Sequence, residues 1–225
     1  MTHDALIVFV KAPRPGAVKT RLIPALDPVT AAALYRLLAE EAVRRTAPGP
    51  GEYERLFFFA PTDARAELEA WLGPRAWFPQ EDTDLGARMT AAFERAFRRG
   101  ARRAAIVGTD VPGISREVVL EALSALDAHD LVLGPAHDGG YYLLALARSE
   151  PEIFRGIAWS TGAVLAATME KARCLGLSVA TLEPLADIDT LADVRASWDS
   201  LSPLLSATPA LKDALSRALW PSGRP

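Results

Sequence analysis

Short apolar runs and amphipathic stretches alternate along this chain. The first run, Ala5-Leu-Ile-Val-Phe-Val10, is continuous, as in a strand covered on both faces. A Pro/Gly-rich loop over Ala12 to Arg21 follows it. Asp27-Pro28 then reads as a helix N-cap with proline at the first helical position. That helix is predicted to run to about Thr46 and to stop at Pro48-Gly-Pro-Gly51. Further strands are predicted at Arg55 to Ala60, Trp77-Phe78, Ala104 to Gly108, Leu131 to Gly134, Tyr141 to Leu146 and Ser178 to Leu182. Helices are predicted to open at Asp63, Asp84, Ser115, Thr161 and Thr190, with a last one at Thr208-Pro209. Leu85, Met89, Phe93 and Phe97 fall at successive i, i+4 positions and form one apolar stripe, which Gly100 ends. The alternation predicts an α/β chain with a mostly parallel central sheet and helices on both faces. We read residues 1–225 as a single domain, with 200–225 as a C-terminal helix and tail. Ser200 to Pro209 and Pro221 to Pro225 are expected to be its flexible parts.

Composition narrows the function classes. Half of the residues are apolar, enough for a sizeable core. The net charge of -3 is spread over well-mixed acids and bases, so neither a nucleic-acid surface nor an anionic-membrane surface is expected. The first apolar run is too short to span a bilayer and has no basic residue ahead of it, which predicts a cytoplasmic protein. The single cysteine, Cys174, excludes an internal disulfide or a multi-cysteine zinc site. Against this background one local excess stands out. Only four lysines accompany 21 arginines, yet Lys11 and Lys19 lie close together with Arg14 and Arg21, and no acid occurs between Asp4 and Asp27.

Five segments carry candidate chemistry. The first is the loop Lys11-Ala-Pro-Arg-Pro-Gly-Ala-Val-Lys-Thr-Arg21. Ligands of open α/β sheets bind outside the carboxyl ends of strands, so Lys11, Arg14, Gly16, Lys19 and Arg21 are candidates to hold a diphosphate. The plainer reading is a solvated basic loop. The second is Ile106-Val-Gly-Thr-Asp-Val-Pro-Gly113, which puts Asp110 at the same sheet edge if both strands are parallel. A carboxylate there repels a diphosphate unless a cation lies between, and Mg²⁺ or Mn²⁺ is the natural bridge. A turn-forming aspartate explains it equally well. The third, Gly134-Pro-Ala-His-Asp-Gly-Gly-Tyr-Tyr142, offers Asp138 to a ligand or merely supplies a hairpin turn. His137 needs no role. The fourth, Leu185-Ala-Asp-Ile-Asp-Thr-Leu-Ala-Asp193, offers Asp189 as a second metal ligand, or serves only the helix start, with Thr190 and Asp193 as a capping box. The fifth, Gln80 to Met89, has Gly86 and Arg88 in a first helical turn. Glycine there costs about 1 kcal/mol against alanine, so something packs closely, either a ligand or a neighbouring element.

Together these motifs resemble the DUF2064 family of the GT-A superfamily. The resemblance rests on Phe9-Val-Lys-Ala-Pro-Arg-Pro-Gly-Ala-Val-Lys-Thr-Arg-Leu22, Asp84-Leu-Gly-Ala-Arg-Met89, Gly108-Thr-Asp-Val-Pro-Gly113, Gly134-Pro-Ala-His-Asp-Gly-Gly-Tyr-Tyr142, Trp159-Ser-Thr161 and Asp187-Ile-Asp-Thr190. It implies a Rossmann-like GT-A fold with a nucleotide at the loop after the first strand. It implies that Asp110 stands where such folds place a metal-binding carboxylate. Asp187-Ile-Asp-Thr190 also resembles the end of sugar-nucleotide nucleotidylyltransferases, where an aspartate joins the metal site. The basic loop is similar to their phosphate loop, but it lacks the Gly-Gly-x-Gly that usually opens one.

The expectation is therefore a transferase that uses a nucleotide-diphospho-sugar with Mg²⁺ or Mn²⁺ and passes the sugar to a small-molecule acceptor. Asp110 and Asp189 would hold the metal, and Lys11, Arg14, Gly16, Lys19, Arg21, Gly86 and Arg88 the nucleotide. Asp138 would orient the acceptor or act as base. Two alternatives stay open: nucleotidylyl transfer from an NTP with release of pyrophosphate, and a nucleotide-binding module without catalysis.

Overall fold

The computed structural model describes residues 3–81 and 84–221. It contains seven strands: β1 (His3–Lys11), β2 (Tyr53–Ala60), β3 (Trp77–Pro79), β4 (Ala101–Val107), β5 (Leu131–Pro135), β6 (Tyr141–Leu146) and β7 (Val179–Thr181). The helices are α1 (Pro28–Arg45), α2 (Arg65–Leu72), α3 (Leu85–Arg98), α4 (Arg116–Ala125), α5 (Val164–Cys174), α6 (Leu191–Ala196), α7 (Trp198–Leu204) and α8 (Pro209–Leu219). The strands form one sheet in the order β3-β2-β1-β4-β6-β5-β7. β6 runs antiparallel to both of its neighbours, and the other pairings are parallel.

The continuous apolar run of β1 follows from this order, because side chains on both faces of a central strand are covered. Leu6, Val8 and Val10 pack into the core under α1, α2 and α4. Ala5 and Ile7 pack on the opposite face with α3 and α5. The helices α1, α3, α4 and α6 start at the predicted caps. By contrast, α2 and α5 begin two and three residues after the predicted Asp63 and Thr161, with Ala64 and Ala163 at the N-cap and no side-chain cap bond. Asp27 accepts from the Val29 and Thr30 amides, Asp84 from Gly86 and Ala87, and Ser115 from Val118.

The segment from Ser200 to Pro209 is a correction. It is helical rather than loose. Trp198, Leu201 and Leu205 recur at i, i+3 and i+7 and are buried with Leu211, Leu215 and Leu219 against Leu34 and Leu38 of α1. The serines between them and Pro203 disguised the period. Apolar burial in that third layer outweighs weak helix propensity. Of the tail Pro221 to Pro225, residues 222–225 lie outside the described residues.

The chain passes from β1 outward through β2 to β3, then returns to place β4 on the other side of β1. The carboxyl ends of β1 and β4 therefore flank the point where the winding reverses. Loops leave in opposite directions there and open a crevice.

Candidate functional site

A cavity of 320 Å³ lies at that crevice. Lys11 ends β1 on one side of it, and Gly108-Thr109-Asp110 follow β4 on the other. The third wall is the segment before α6, which carries Asp189.

The centre is a charge cluster. Lys19 takes a left-handed backbone, φ 48° and ψ 40°, just ahead of a short 3₁₀ turn. Its ammonium donates to Asp189 Oδ1 at 2.7 Å and to Asp110 Oδ2 at 3.3 Å. The Lys19 side chain is only 3% exposed, whereas the Asp110 and Asp189 side chains are 40% and 35% exposed. The ammonium is thus the buried member, and the carboxylates keep an open side. Burial pushes the Lys19 pKa down, but Asp110 and Asp189 together outweigh it and hold the ammonium above its ordinary value. Burial likewise raises Asp110, and the neighbouring Lys19 charge outweighs that, leaving the carboxyl below the usual range.

Local structure fixes this convergence. The Ile188 amide donates to the Asp110 carbonyl at 3.1 Å and ties the two acidic loops together. Asp193 accepts from the amides of Asp189 and Thr190, while the Thr190 side chain accepts from the Asp193 amide in a capping box. At Gly108 an added Cβ would lie 2.8 Å from Asp110 Oδ1, so glycine there leaves room for the carboxylate. The end of β1 is held by Tyr35 on α1. Its hydroxyl accepts the Lys11 amide at 2.7 Å and lies 3.0 Å from Thr109 Oγ1. Burial pushes the phenol up to about 12, so it is neutral at physiological pH.

The candidates divide. Lys11, Lys19, Arg88, Asp110 and Asp189 line the cavity. Arg21 stands at its edge, 67% exposed, with Nη1 3.8 Å from Asp189 Oδ2. Arg14 turns away and bonds Asp63 and Glu67 around α2 at 3.1 and 2.9 Å. Gly16, φ 81°, supplies a turn, and the Arg14 and Ala17 amides nearby donate to carbonyls within the loop itself. Gly86 faces a neighbouring element: a Cβ there would meet Trp159 Nε1 at 2.8 Å and the Phe154 carbonyl at 2.9 Å. Asp138 is exposed and accepts from the Gly140 amide at 2.8 Å, the turn geometry weighed above.

Other residues stand in or beside the site to which the sequence assigned no role. Asp187 is half-buried, and its carboxyl is pushed up to about 6, by burial first and then by Asp138, Asp189 and Asp110. Gln80 and Ser160 line the cavity beside Arg88. Ser160 has φ 63° and belongs to the Trp159-Ser-Thr161 motif, the one signal that pointed to it. Tyr35 gave none, since a tyrosine in mid-helix reads as core.

Asp110 and Asp189 are the groups able to hold a cation. Among the described residues, no set of three or more His, Cys, Asp or Glu side chains is gathered as a metal cage. Two half-open carboxylates suit Mg²⁺ or Mn²⁺, which is commonly bound by one or two carboxylates together with water and substrate phosphate oxygens.

Three comparisons bear on this geometry. A protein from Desulfovibrio desulfuricans G20, provisionally named a nucleotide-diphospho-sugar transferase, has a crystal structure that superposes with a TM-score of 0.86. It is 33% identical, covering 96% of this chain and 99% of that one. The phosphoenolpyruvate guanylyltransferase of Chloroflexus aggregans is 28% identical over 169 residues, 73% of this chain and 83% of that protein. A Mycobacterium tuberculosis protein crystallised with manganese shares the fold at a TM-score of 0.50 and 17% identity, covering 92% of this chain and 100% of that one. The two more similar relatives are named as transferases, and this chain is a transferase with the α/β fold of the Desulfovibrio protein. The family model that matches residues 44–161 spans the helix–strand units from the end of α1 through Asp110 to the Trp159-Ser-Thr161 loop; the chain belongs to DUF2064, a family described as uncharacterised proteins conserved in bacteria.

Proposed function

We propose that this chain is a metal-dependent nucleotidylyltransferase, joining a nucleoside monophosphate from an NTP to an anionic small-molecule acceptor and releasing pyrophosphate. The observation that carries the reading is the meeting of Lys19 with Asp110 and Asp189 in a cavity that Lys11 and Arg88 also line. Cations and acids in one crevice suit a polyphosphate that arrives with its own divalent ion. Nucleotidylyl transfer takes precedence over glycosyl transfer because the Chloroflexus relative is named for that reaction. The provisional name of the Desulfovibrio relative keeps glycosyl transfer as the second reading.

In this mechanism Lys11 and Arg21 draw the phosphates to the mouth of the cavity, and Arg88 holds the far side. Lys19 works as a positioning residue, keeping Asp110 and Asp189 converged against their mutual repulsion. A bound Mg²⁺ or Mn²⁺, held by Asp110 and Asp189, would offset the charge of the phosphates. An acceptor oxygen attacks the α-phosphorus. The bond from that phosphorus to the β-bridging oxygen breaks, and its electron pair leaves with pyrophosphate. An acceptor that is already an oxyanion gives up no proton, so Asp138 is needed as a base only for a hydroxyl acceptor. On this reading the partners are a nucleotide and a small molecule. No helix among the described residues is long and apolar enough to cross a membrane.

The test is pyrophosphate release. The protein is incubated with each NTP, Mg²⁺ or Mn²⁺, and phosphorylated or carboxylate acceptors including phosphoenolpyruvate. Acceptor-dependent pyrophosphate, lost in Asp110→Asn while circular dichroism stays unchanged, supports the reading. Release of NDP from an NDP-sugar without pyrophosphate replaces it with glycosyl transfer. Binding without turnover of any kind leaves a non-catalytic module.

A further inference from the structure

A second hollow, of 190 Å³, adjoins the nucleotide cavity and shares Gln80 and Arg88 with it. It runs along α3, and Arg88, Arg95 and Arg98 all line it. Arg95 lies seven residues after Arg88 and Arg98 three after that, spacings that keep successive arginines on one side of the helix, so the three guanidinium groups form a row leading away from the crevice. Among the described residues, Glu81 is the one carboxylate in its lining. The row is also ordered. The Arg95 guanidinium lies 4.5 Å from the centre of the Phe78 ring, and Phe78 in turn packs on Phe58 at 5.3 Å. Stacking on an aromatic face restrains arginine and leaves its in-plane donors free. Arg95 has no carboxylate partner among the described residues, and Arg98 is paired with Glu94 at 3.0 Å. Arg88 Nη1 reaches Gln80 Oε1 at 3.4 Å across the wall common to both cavities.

We propose that this hollow is an oxyanion subsite that holds the phosphate or carboxylate of the acceptor, next to the donor nucleotide. The assignment to an acceptor rests on the transferase reading above. The anion chemistry stands on the arginines themselves. Planar forks that match phosphate and carboxylate bind them through paired, charge-assisted hydrogen bonds. The location fits the role, because an acceptor must occupy the site together with the nucleotide and present an oxygen to it across the shared wall. The row then selects small anionic acceptors over neutral sugars and alcohols.

The experiment follows the arginine Nε–Hε resonances of ¹⁵N-labelled protein during titration with inorganic phosphate. Saturable shifts are expected at Arg95 and Arg98. Arg95→Gln and Arg98→Gln, both at exposed positions, should each weaken phosphate binding about tenfold, the loss of one hydrogen bond to a charged group. The same titration is repeated with Mg²⁺ and a saturating amount of whichever NTP the pyrophosphate assay selects. Phosphate that stays on Arg95 in the presence of the nucleotide supports an acceptor subsite. Phosphate expelled by the nucleotide overturns it and assigns the row to the donor's own phosphates. Absence of saturable shifts in the wild-type protein overturns it outright. If no NTP binds but phosphate still shifts Arg95 and loses affinity in Arg95→Gln, the oxyanion site stands and the nucleotidylyl reading falls.

Discussion

Lys19 is the residue on which the site turns, because it is buried while both acids it serves remain half open. Removing the cation from a fully buried pair costs about 3–5 kcal/mol, mostly through the uncompensated charge left behind. Water reaches Asp110 and Asp189, so the expected cost of Lys19→Met is smaller, about 1–2 kcal/mol. Urea denaturation measures it. Added Mg²⁺ should recover more stability in Lys19→Met than in the wild-type protein, since a divalent ion can take over the neutralising role. An unchanged unfolding midpoint would mean that the ammonium does not hold the acids together. Tyr35→Phe is a milder probe. It leaves the Lys11 amide and Thr109 Oγ1 without their shared partner, and about 1–2 kcal/mol of stability should be lost with little change in helix content. The convergence of Lys11, Lys19, Asp110 and Asp189 was legible from the sequence, because Lys11 and Asp110 stand at or just after the ends of parallel strands, which meet one edge, while Lys19 lies in the loop after the first and Asp189 just before a helix start. Arg14 stands apart from that convergence for a physical reason: its carboxylate partners lie 49 and 53 positions further on, and no local pattern reports a pairing at that range. Asp187 lay in view beside Asp189, but the upward push on its carboxyl comes first from burial and then from Asp138, both of which only the fold supplies.

At the scale of elements, two glycines set how closely the loop before α5 approaches its neighbours. At Gly139, φ is +87° and a Cβ would fall 2.1 Å from the Gly162 carbonyl oxygen. At Gly86 the contacts would be 2.8 Å with Trp159 and 2.9 Å with the Phe154 carbonyl, in a helix that alanine would otherwise favour. Gly139→Ala is therefore expected to destabilise by about 3 kcal/mol, combining strain with overpacking, and Gly86→Ala by about 1 kcal/mol. Chemical denaturation of the two variants gives the order. Because Ser160 sits in that loop and lines the cavity, Gly86→Ala should also raise KM for the nucleotide more than it lowers kcat. A Gly86→Ala protein with the same KM would separate the loop from substrate binding. The strand runs and the caps at Asp27, Asp84, Ser115 and Thr190 were readable because local chemistry and fold agree there. The helix α7 was not. Its apolar residues are separated by serines and interrupted by Pro203, and its stability comes from burial against α1 and α8 rather than from its own propensity.

At the scale of the whole molecule, the reversal of winding beside β1 divides the site between two halves of one sheet. The basic loop belongs to the half that contains β1, β2 and β3, and the acids belong to the half that contains β4 to β7. Lys19 bridges the halves, with sequence separations of 91 and 170 residues to Asp110 and Asp189. A nucleotide with its metal would add further bridges between the same halves, and the unfolded chain has neither half assembled. Linkage then requires binding to stabilise the native state. A ligand at one hundred times its Kd contributes about 2.7 kcal/mol, which corresponds to roughly 5–10 °C in a domain of this size. The NTP with Mg²⁺ should give such a rise in Tm, and the NTP with EDTA a much smaller one, because the phosphates then face Asp110 and Asp189 without a cation between them. In Asp110→Asn one of those carboxylates is neutral, so the requirement for Mg²⁺ should weaken: the shift with metal falls and the shift without it grows. Equal shifts with and without Mg²⁺ in the wild-type protein would put the nucleotide away from the acids and dissolve the link between topology and chemistry on which the reading of this site depends.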